Sequence, residues 1–226
     1  MIKKIIIASS KNWFFKNKKV KEFIKKKNIV IIKKKEHLKN SYLKKINPEI
    51  IFFPHWSYKV SKKIIKEYKC ICFHTAPLPF GRGGSPIQNL ILRNFQKSPV
   101  CALKMTNQID AGPIYIKKNM DLGGNLNQIF DRMSIIIMQM IKILIKKNIN
   151  PKKQVGRVYK FKRIRETQSE IKKEKNLNEI YNKIRMLDTE EYPRSYIKKN
   201  NFKIFFSNPI LKKNFISCNA KILKSK

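Results

Sequence analysis

One histidine and one aspartate stand out, because their surroundings could hold both side chains at a reaction centre. His74 lies in the segment FHTAPLPFGRGG, which runs from Phe73 to Gly84. Asp110 follows 26 residues after that segment, within the sequence IDAGP. Prolines fix the backbone of such loops, and glycines permit close approach to a ligand. A histidine and a carboxylate on two loops of this kind are suited to moving an acyl group onto an amine.

The elements that position His74 alternate between short apolar strands and charged helices. We predict strands over 4–9, 28–32, 49–54 and 69–73, and helices over 20–27 and 61–68. Strands that are apolar on both faces and separated by helices predict an α/β fold with a doubly wound, mostly parallel sheet. Ligands of such sheets bind outside the carboxyl ends of the strands. His55, Trp56 and His74 follow strands and are therefore predicted to lie at that edge.

A second group of elements carries Asp110. Ser85 is predicted to be the N-cap, and Pro86 the first residue, of a helix that reaches about Asn94. Strands predicted over 99–106 and 112–121 flank the Asp110 turn. A long helix over 126–147 follows, and its apolar stripe is predicted to be core: Ile129, Met133, Ile136, Ile137, Met140, Ile143 and Leu144. We therefore assign residues 1–150 to one catalytic domain.

The composition is that of a folded protein without a membrane segment. The chain has 226 residues, of which 42% are hydrophobic, enough to build a core. The longest apolar stretch, 135–145, is too short to span a bilayer. The first residues lack the apolar core of a signal peptide, so a cytoplasmic protein is predicted. The four cysteines do not have the spacing of a zinc site, and no metal is predicted.

The net charge of +38 points to anionic partners, but the choice of basic residue leaves two interpretations open. Lysines number 44 and arginines only 8. Proteins that grip phosphates tend to use the bidentate fork of arginine. The lysine excess is therefore either a drift in codon usage or a surface that attracts polyanions and phosphorylated substrates nonspecifically.

Two motifs resemble those of a known family. The stretch FHTAPLPFGRGGSPIQNLIL resembles the H-x-S-L-L-P, R-G and P-I-Q motifs of the 10-formyltetrahydrofolate-dependent formyltransferases, and IDAGPIY resembles their L-D-x-G-P. This family includes methionyl-tRNA formyltransferases, glycinamide ribonucleotide formyltransferases and sugar N-formyltransferases. The resemblance covers about residues 50–145. It implies the formyltransferase fold and an enzyme that moves the formyl group of 10-formyltetrahydrofolate onto a primary amine without a metal.

The resemblance also implies the site residues. His74 and Asp110 match the catalytic histidine and aspartate of the family, whereas Cys72 stands where the family has asparagine. A thiol is a weaker hydrogen-bond donor than an amide, and Gln88 is a candidate to compensate. The implied folate-binding residues are Ala76, Pro77, Leu78, Pro79, Thr106, Asn107, Gln108 and Ile109. The candidate substrate-binding residues are Arg82, Gly83, Gly84, His55, Trp56 and Gln88.

The remaining residues, 151–226, are predicted to form a linker and a small C-terminal α+β unit. A basic extended stretch over 158–165 precedes an amphipathic helix over 177–187 and strands over 202–206 and 214–218. The sequence IRML at 184–187 resembles the I-R-x-L helix of sugar N-formyltransferases. An apolar set of residues in this unit could form a homodimer surface: Phe202, Ile204, Phe205 and Phe206.

Three functions are compatible with the sequence. The tail is shorter than the barrel domain of methionyl-tRNA formyltransferases, which favours a small-molecule acceptor such as a nucleotide-linked amino sugar. A methionyl-tRNA formyltransferase with a shortened C-terminal domain is the alternative that the charge supports. A catalytically inactive RNA-binding or regulatory homologue is the alternative that Cys72 supports.

Overall fold

The computed structural model describes residues 4–27 and 29–224, so Asn28, the first residue of the second predicted strand, lies outside the described residues. The first half contains β1 (Ile5–Ser9), α1 (Trp13–Lys16), α2 (Lys18–Lys26), β2 (Val30–Ile32), α3 (Asn40–Ile46), β3 (Ile50–His55), α4 (Lys62–Glu67), β4 (Lys69–Thr75), β5 (Phe80–Gly83) and α5 (Pro86–Ile91). The second half contains β6 (Lys97–Lys104), β7 (Ile114–Asp121), α6 (Leu126–Lys146), β8 (Tyr159–Phe161), α7 (Leu177–Arg185), β9 (Tyr196–Lys199), β10 (Phe202–Leu211) and β11 (Ile216–Lys224).

The chain divides into two compact units that are each built from several segments. The first unit contains the described residues of Met1–Gly83, Pro99–Met120 and Phe130–Lys160. The second unit contains those of Gly84–Ser98, Asp121–Ile129 and Phe161–Lys226. His74 and Asp110 both belong to the first unit.

A six-stranded sheet has the order β2-β1-β3-β4-β6-β7. The strands β2, β1, β3 and β4 pair in parallel, and β6 pairs antiparallel to β4. The predicted α/β fold with a mostly parallel sheet is confirmed. The register places His74 opposite Cys101 and Cys72 opposite Leu103.

The parallel strands are apolar and buried on both faces, as is typical of parallel sheets that helices cover on both sides. All five residues of β1 are buried, and so are the first five of β3. Ile6, Ile51 and Phe52 are fully buried. Burial of each such side chain stabilises the fold by roughly 1.5–3 kcal/mol. The strand ends that carry the candidate site are therefore rigidly supported.

The long helix α6 is close to its predicted bounds. Met133, Ile137 and Leu144 of the predicted stripe are buried, whereas Ile136 and Ile143 are only half-buried. Ile136 and Ile143 lie at one edge of the predicted stripe, and the buried face extends beyond the opposite edge to Met138 and Ile141. Within the described part of the chain, no helix combines the length and the apolarity needed to cross a membrane.

The helix α5 begins at Pro86, as predicted, but the side chain of Ser85 does not cap it. Ser85 has a left-handed φ of 49°, and no hydrogen bond joins its hydroxyl to the first turn. The Oγ atom instead accepts a hydrogen bond from the amide of Ile164, at 3.1 Å. Ser85 therefore joins α5 to the segment that follows β8 within the second unit.

The second unit also contains a three-stranded antiparallel sheet in the order β11-β10-β9, together with α7. Arg185, at the end of α7, is 5% exposed. Its guanidinium donates to the carbonyls of Leu122 and Gly124 and to Oδ1 of Asn182, at 2.6, 3.0 and 2.7 Å. The arginine of the IRML sequence therefore holds a loop of its own unit rather than a ligand.

The apolar residues of β10 do not share one surface, because side chains alternate along a strand. Ile204 pairs with Ile197 and Ile222, and Ile222 is 63% exposed. Phe205 belongs to the opposite face, where its ring lies 5.6 Å from that of Tyr196. A homodimer through this sheet stays a prediction, restricted to the face that carries Ile204.

Candidate active site

His74 lies near the end of β4 and is 7% exposed. Its Nε2 atom is 2.7 Å from the carbonyl oxygen of Gly81. Since a carbonyl oxygen only accepts, the hydrogen bond requires a proton on Nε2. The segment after β4 thus folds back over the ring and fixes its orientation.

Asp110 lies in the loop between β6 and β7, opposite the other nitrogen of the histidine. Its Oδ2 atom is 3.4 Å from Nδ1 of His74 and accepts a hydrogen bond from the amide of Gly83 at 2.9 Å. Both ring nitrogens of His74 therefore face oxygen acceptors. The Gly81 carbonyl and the Asp110 carboxylate therefore hold the ring from opposite sides.

Glycines make this approach possible at two positions. Gly83 has a φ of 107°, a conformation that side chains of L residues rarely adopt, and this directs its amide at Asp110. At Gly112 there is no room for a side chain, because a Cβ atom would collide with the carbonyl oxygen of Lys104. The motifs RGG and DAGP therefore contain glycine for reasons of local geometry.

Cys72 lies two residues before His74 in β4, where the residue as a whole is half-buried and its thiol lies in the protein interior. Burial raises the pKa of its thiol well above the usual range, and the nearby carboxylate of Asp110 raises it further. The side chain is consequently a neutral thiol at physiological pH. It can donate one weak hydrogen bond, but it is a poor nucleophile.

Arg82, a candidate substrate-binding residue, has a partner within the first unit. Its Nε and Nη2 atoms donate to Oε1 of Gln154, at 3.0 and 2.8 Å. The amide nitrogen of Gln154 in turn donates to the backbone carbonyls of Asp110 and Gly112, both at 2.8 Å. The role of Gln154 is not readable from the sequence, because an isolated glutamine in a polar stretch belongs to no pattern.

The first predicted folate-binding segment, Ala76 to Pro79, is largely buried. Ala76 and Leu78 belong to an apolar cluster with Cys101, Leu103 and Ile114. The amide of Leu78 donates to the carbonyl of Ala76 at 2.8 Å, and the Leu78–Pro79 peptide bond is cis. Since Pro77 and Pro79 lack an amide donor, a ligand at these two residues would meet backbone carbonyls rather than backbone amides.

The second predicted folate-binding segment, Thr106 to Ile109, is exposed to solvent. Ile109 is 78% exposed, which is unusual for a large apolar side chain in a short loop. The hydroxyl of Thr106 donates to the carbonyl of Gln108 at 3.0 Å and closes the turn. This loop leads directly into Asp110, so a ligand that contacts it would lie next to the Asp110 carboxylate.

His55 and Trp56 lie at the end of β3, as predicted. The carbonyl of His55 accepts hydrogen bonds from the amide and hydroxyl of Ser10, at 2.8 and 3.3 Å. The Trp56 ring packs edge-on against Phe53 and Tyr58, and its buried indole N–H has no partner among the described residues. These contacts join the ends of β1 and β3, and a substrate-binding role for either residue stays a prediction.

Gly84 and Gln88 belong to the second unit. The amide of Gly84 donates to the carbonyl of Phe161 at 3.2 Å. Its carbonyl accepts a hydrogen bond from the side chain of Asn89, also at 3.2 Å. Gln88 is 3% exposed within α5. Compensation of Cys72 by Gln88 therefore stays a prediction.

The first unit thus brings together three side chains: the buried imidazole of His74, the carboxylate of Asp110 and the thiol of Cys72. Among residues 4–27 and 29–224, no group of three histidine, cysteine or acidic side chains could hold a metal ion. A hydrogen-bond donor can stabilise negative charge that develops on an oxygen, and a neighbouring carboxylate can accept a proton from an attacking amine.

Comparison with known proteins identifies the family. A family model described as the methionyl-tRNA formyltransferase C-terminal domain matches residues 166–223. The methionyl-tRNA formyltransferase from Clostridium thermocellum is similar over the whole chain, with 42% identity and a TM-score of 0.94. The similarity covers 99% of this chain and 100% of that one. The chain belongs to the formyltransferase family. Formyltransferases are enzymes that transfer formyl groups, so the predicted enzyme class is also confirmed.

Two further relatives extend the comparison. This formyltransferase is 26% identical over 218 residues to the methionyl-tRNA formyltransferase of Sulfurihydrogenibium sp. (strain YO3AOP1), covering 90% of this chain and 68% of the relative. HypX from Aquifex aeolicus, solved in complex with tetrahydrofolic acid, shares the fold at 12% identity and a TM-score of 0.74. That likeness covers 92% of this chain and 38% of HypX.

The length of the C-terminal tail does not indicate the class of acceptor. The short tail was expected to favour a small-molecule acceptor over tRNA. The C. thermocellum protein is matched over its full length by this chain, tail included, and it is named a methionyl-tRNA formyltransferase. Tail length therefore does not separate the two classes of acceptor for this formyltransferase.

Proposed function

We propose that the chain transfers the formyl group of 10-formyltetrahydrofolate to the amino group of methionyl-tRNA. The 42% identity to the C. thermocellum protein, which extends over both chains, carries this proposal. The match of residues 166–223 to the methionyl-tRNA formyltransferase C-terminal domain supports it independently. This acceptor replaces the nucleotide-linked amino sugar that the short tail favoured.

His74 serves as the hydrogen-bond donor to the formyl oxygen. Its donor is the Nε2 proton, because Nδ1 faces Asp110. The formyl oxygen would accept the hydrogen bond from this Nε2 proton either together with the carbonyl of Gly81 or in its place. A donor of this kind stabilises the negative charge that develops on oxygen when an amine attacks, typically by about 10²- to 10³-fold in rate.

Asp110 serves as the proton acceptor. The attacking amine must lose a proton when its nitrogen bonds to the formyl carbon, and a positioned carboxylate can take that proton directly or through one water. The hydrogen bond from Gly83 holds one carboxylate oxygen, and the other oxygen is left to receive the proton.

Cys72 supplies a second, weaker donor from the same strand. Its thiol is neutral, because burial and the nearby carboxylate of Asp110 both raise its pKa. The position two residues before His74 places it on the same face of β4 as the histidine. We assign it the role that asparagine has in the resembling motif, with a smaller contribution to the rate.

The loops beside His74 and Asp110 fit a folate. When bound, 10-formyltetrahydrofolate supplies the formyl group. The exposed loop Thr106–Ile109 offers backbone groups and the apolar surface of Ile109, which suit a flat heterocycle with a polar edge. The segment Ala76–Pro79 offers backbone carbonyls on a rigid, buried support.

The charge of the chain suits a polynucleotide acceptor. A net charge of +38 attracts tRNA at long range and speeds its association, although lysine-driven attraction is indifferent to tRNA identity. Discrimination between tRNAs is therefore the informative property to measure.

The test measures formyl transfer from 10-formyltetrahydrofolate to three acceptors: initiator methionyl-tRNA, elongator methionyl-tRNA and a set of nucleotide-linked amino sugars. We expect the initiator to be formylated with the highest kcat/KM. His74→Ala should lower this rate by about 10²- to 10³-fold. His37→Ala, at an exposed histidine of the same unit, is the matched control and should leave it unchanged.

Each other outcome contradicts a defined part of the proposal. Transfer to an amino sugar alone would show that the acceptor is wrong and the chemistry right. Full activity of His74→Ala would overturn the catalytic assignment. Binding of tRNA without transfer to any acceptor would favour the inactive, RNA-binding homologue.

A further inference from the structure

Gln154 turns inward from an exposed stretch between α6 and β8. Its neighbours Lys153 and Val155 are exposed, Val155 by 88%. A primary amide has two N–H donors and one carbonyl with two lone pairs. All four of these hydrogen-bonding positions are used in Gln154. The two N–H groups donate to the carbonyls of Asp110 and Gly112, and the carbonyl oxygen accepts two hydrogen bonds from Arg82.

Arg82 determines the orientation of this amide. Only the Oε1 atom of Gln154 can accept from a guanidinium, so the Nε2 atom must point towards the Asp110 loop. The two hydrogen bonds from Arg82 are charge-assisted and fix the plane of the amide. Arg82 lies in β5 between Gly81, which accepts from His74, and Gly83, which donates to Asp110.

The Asp110 loop requires such support. Asp110 has a φ of 53°, in the left-handed region that residues other than glycine adopt singly, in turns. The preceding residues, Gln108 and Ile109, are exposed, and the hydrogen bond from the amide of Ala111 to the carbonyl of Gln108 is long, at 3.5 Å. The two hydrogen bonds from Gln154 hold the carbonyls of Asp110 and Gly112, on either side of Ala111.

We propose that Gln154, oriented by Arg82, is a positioning residue that holds the Asp110 carboxylate against His74. This inference rests on the proposed catalytic role of Asp110. Gln154 touches neither the histidine nor the carboxylate, and it acts through the backbone of the loop. Arg82 then contributes to the reaction through Gln154 rather than through a contact with substrate.

The decisive variant is Gln154→Glu. Glutamate keeps the size of the side chain and an acceptor for Arg82, but it removes both donors and aims an oxygen at two carbonyls. A displacement of about 1 Å in a catalytic group can cost about 10²-fold. We therefore expect kcat for formyl transfer to fall by about tenfold to a hundredfold, with KM for 10-formyltetrahydrofolate within about twofold of the wild-type value.

Gln139→Glu is the matched control. Gln139 is an exposed glutamine in the same unit whose Oε1 accepts a hydrogen bond from Lys118 at 3.0 Å. This variant makes the same chemical change away from the Asp110 loop. We expect wild-type kcat and KM for it.

A second readout does not depend on activity. The amide of Gly83 donates to the Asp110 carboxylate, so its hydrogen-exchange rate, measured by NMR, reports whether the carboxylate is in place. We expect faster exchange at Gly83 in Gln154→Glu and unchanged exchange in Gln139→Glu. If the wild-type protein transfers formyl groups to no acceptor, the proposed function fails, and the exchange rate still decides this inference.

Arg82→Lys covers the case in which Gln154→Glu does not fold. Lysine keeps the charge but cannot make the paired hydrogen bonds to Gln154. We expect a smaller loss of kcat, by about threefold to tenfold, with faster exchange at Gly83. If Gln154→Glu folds and keeps both the wild-type kcat and the wild-type hydrogen-exchange rate at Gly83, the proposal is overturned. If Gln154→Glu does not fold, the same two results in Arg82→Lys overturn it.

Discussion

The carboxylate of Asp110 lies 3.4 Å from Nδ1 of His74, although 36 residues separate the two in sequence. The same carboxylate oxygen accepts a hydrogen bond from the amide of Gly83, on the segment whose Gly81 carbonyl faces the other histidine nitrogen. The histidine, the aspartate and the glycine-rich segment therefore form one hydrogen-bonded group, in which a change at one member alters the geometry of the others.

Asp110→Asn separates the charge of the carboxylate from its geometry. Asparagine has the same shape and can still accept the hydrogen bond from Gly83, but it cannot take a proton from the attacking amine. We expect kcat to fall by about 10²- to 10⁴-fold, the usual contribution of a positioned acid or base. Steady-state kinetics with saturating 10-formyltetrahydrofolate measures this effect.

Asp131→Asn is the control for that variant. Asp131 accepts a hydrogen bond from Asn17 at 2.6 Å on the surface of the same unit and should tolerate the change without loss of kcat. If Asp110→Asn retains more than about a tenth of the wild-type kcat, proton transfer does not depend on this carboxylate, and its role is limited to orienting His74.

Cys72→Asn should accelerate the reaction. An amide N–H is a stronger donor than the thiol of Cys72, whose raised pKa keeps it neutral. A complete donor to a developing oxyanion is typically worth about 10²- to 10³-fold, so we expect kcat to rise about tenfold or more. Cys72→Ala removes the donor and should lower kcat relative to the wild-type protein.

Cys218→Asn makes the same exchange at a half-buried position of β11 in the second unit and should leave kcat unchanged. If the kcat of Cys72→Ala equals or exceeds that of Cys72→Asn, the side chain at this position does not donate a hydrogen bond to the reacting oxygen.

Local patterns predicted the elements that carry the site, because they act over a few residues. The apolar run of β1 and the period of α6 gave bounds within about one residue of those observed. The helix α3 was not predicted, because only Leu43 of its seven residues is buried and no side chain caps its start. A short, lysine-rich helix with one core residue has no readable stripe.

The hydrogen bonds that hold the site could not be predicted in the same way. Gln154 lies 72 residues from Arg82 and 44 from Asp110. Nothing in the sequence of a polar stretch indicates which side chain will turn inward. The arginine of IRML is a similar case, because the carbonyls that surround Arg185 lie about 60 residues earlier in the chain.

The stability of the second unit should depend on pH through Glu174. Its Oε1 atom is 2.8 Å from Nζ of Lys183, and Oε2 accepts hydrogen bonds from the amides of Lys172 and Lys173 at 2.9 and 3.1 Å. Burial acts to raise the pKa of this carboxyl, but the hydrogen bonds from Lys183 and the backbone outweigh it and lower the pKa. The ionised form is therefore favoured more in the folded protein than in the unfolded chain.

A carboxyl whose pKa is lowered by folding stabilises the protein fully above its unfolded pKa of about 4.3, and this contribution is lost as the pH falls through the folded pKa. Glu174→Gln should therefore lower the free energy of unfolding most at pH 7, and the difference from the wild-type protein should shrink towards pH 3. Urea denaturation at several pH values measures it. Glu67→Gln, which removes a longer ion pair at 3.9 Å from Lys63, controls for the loss of one carboxylate. A difference that stays constant from pH 7 to pH 3 would show that Glu174 stabilises the unit through packing rather than through its charge.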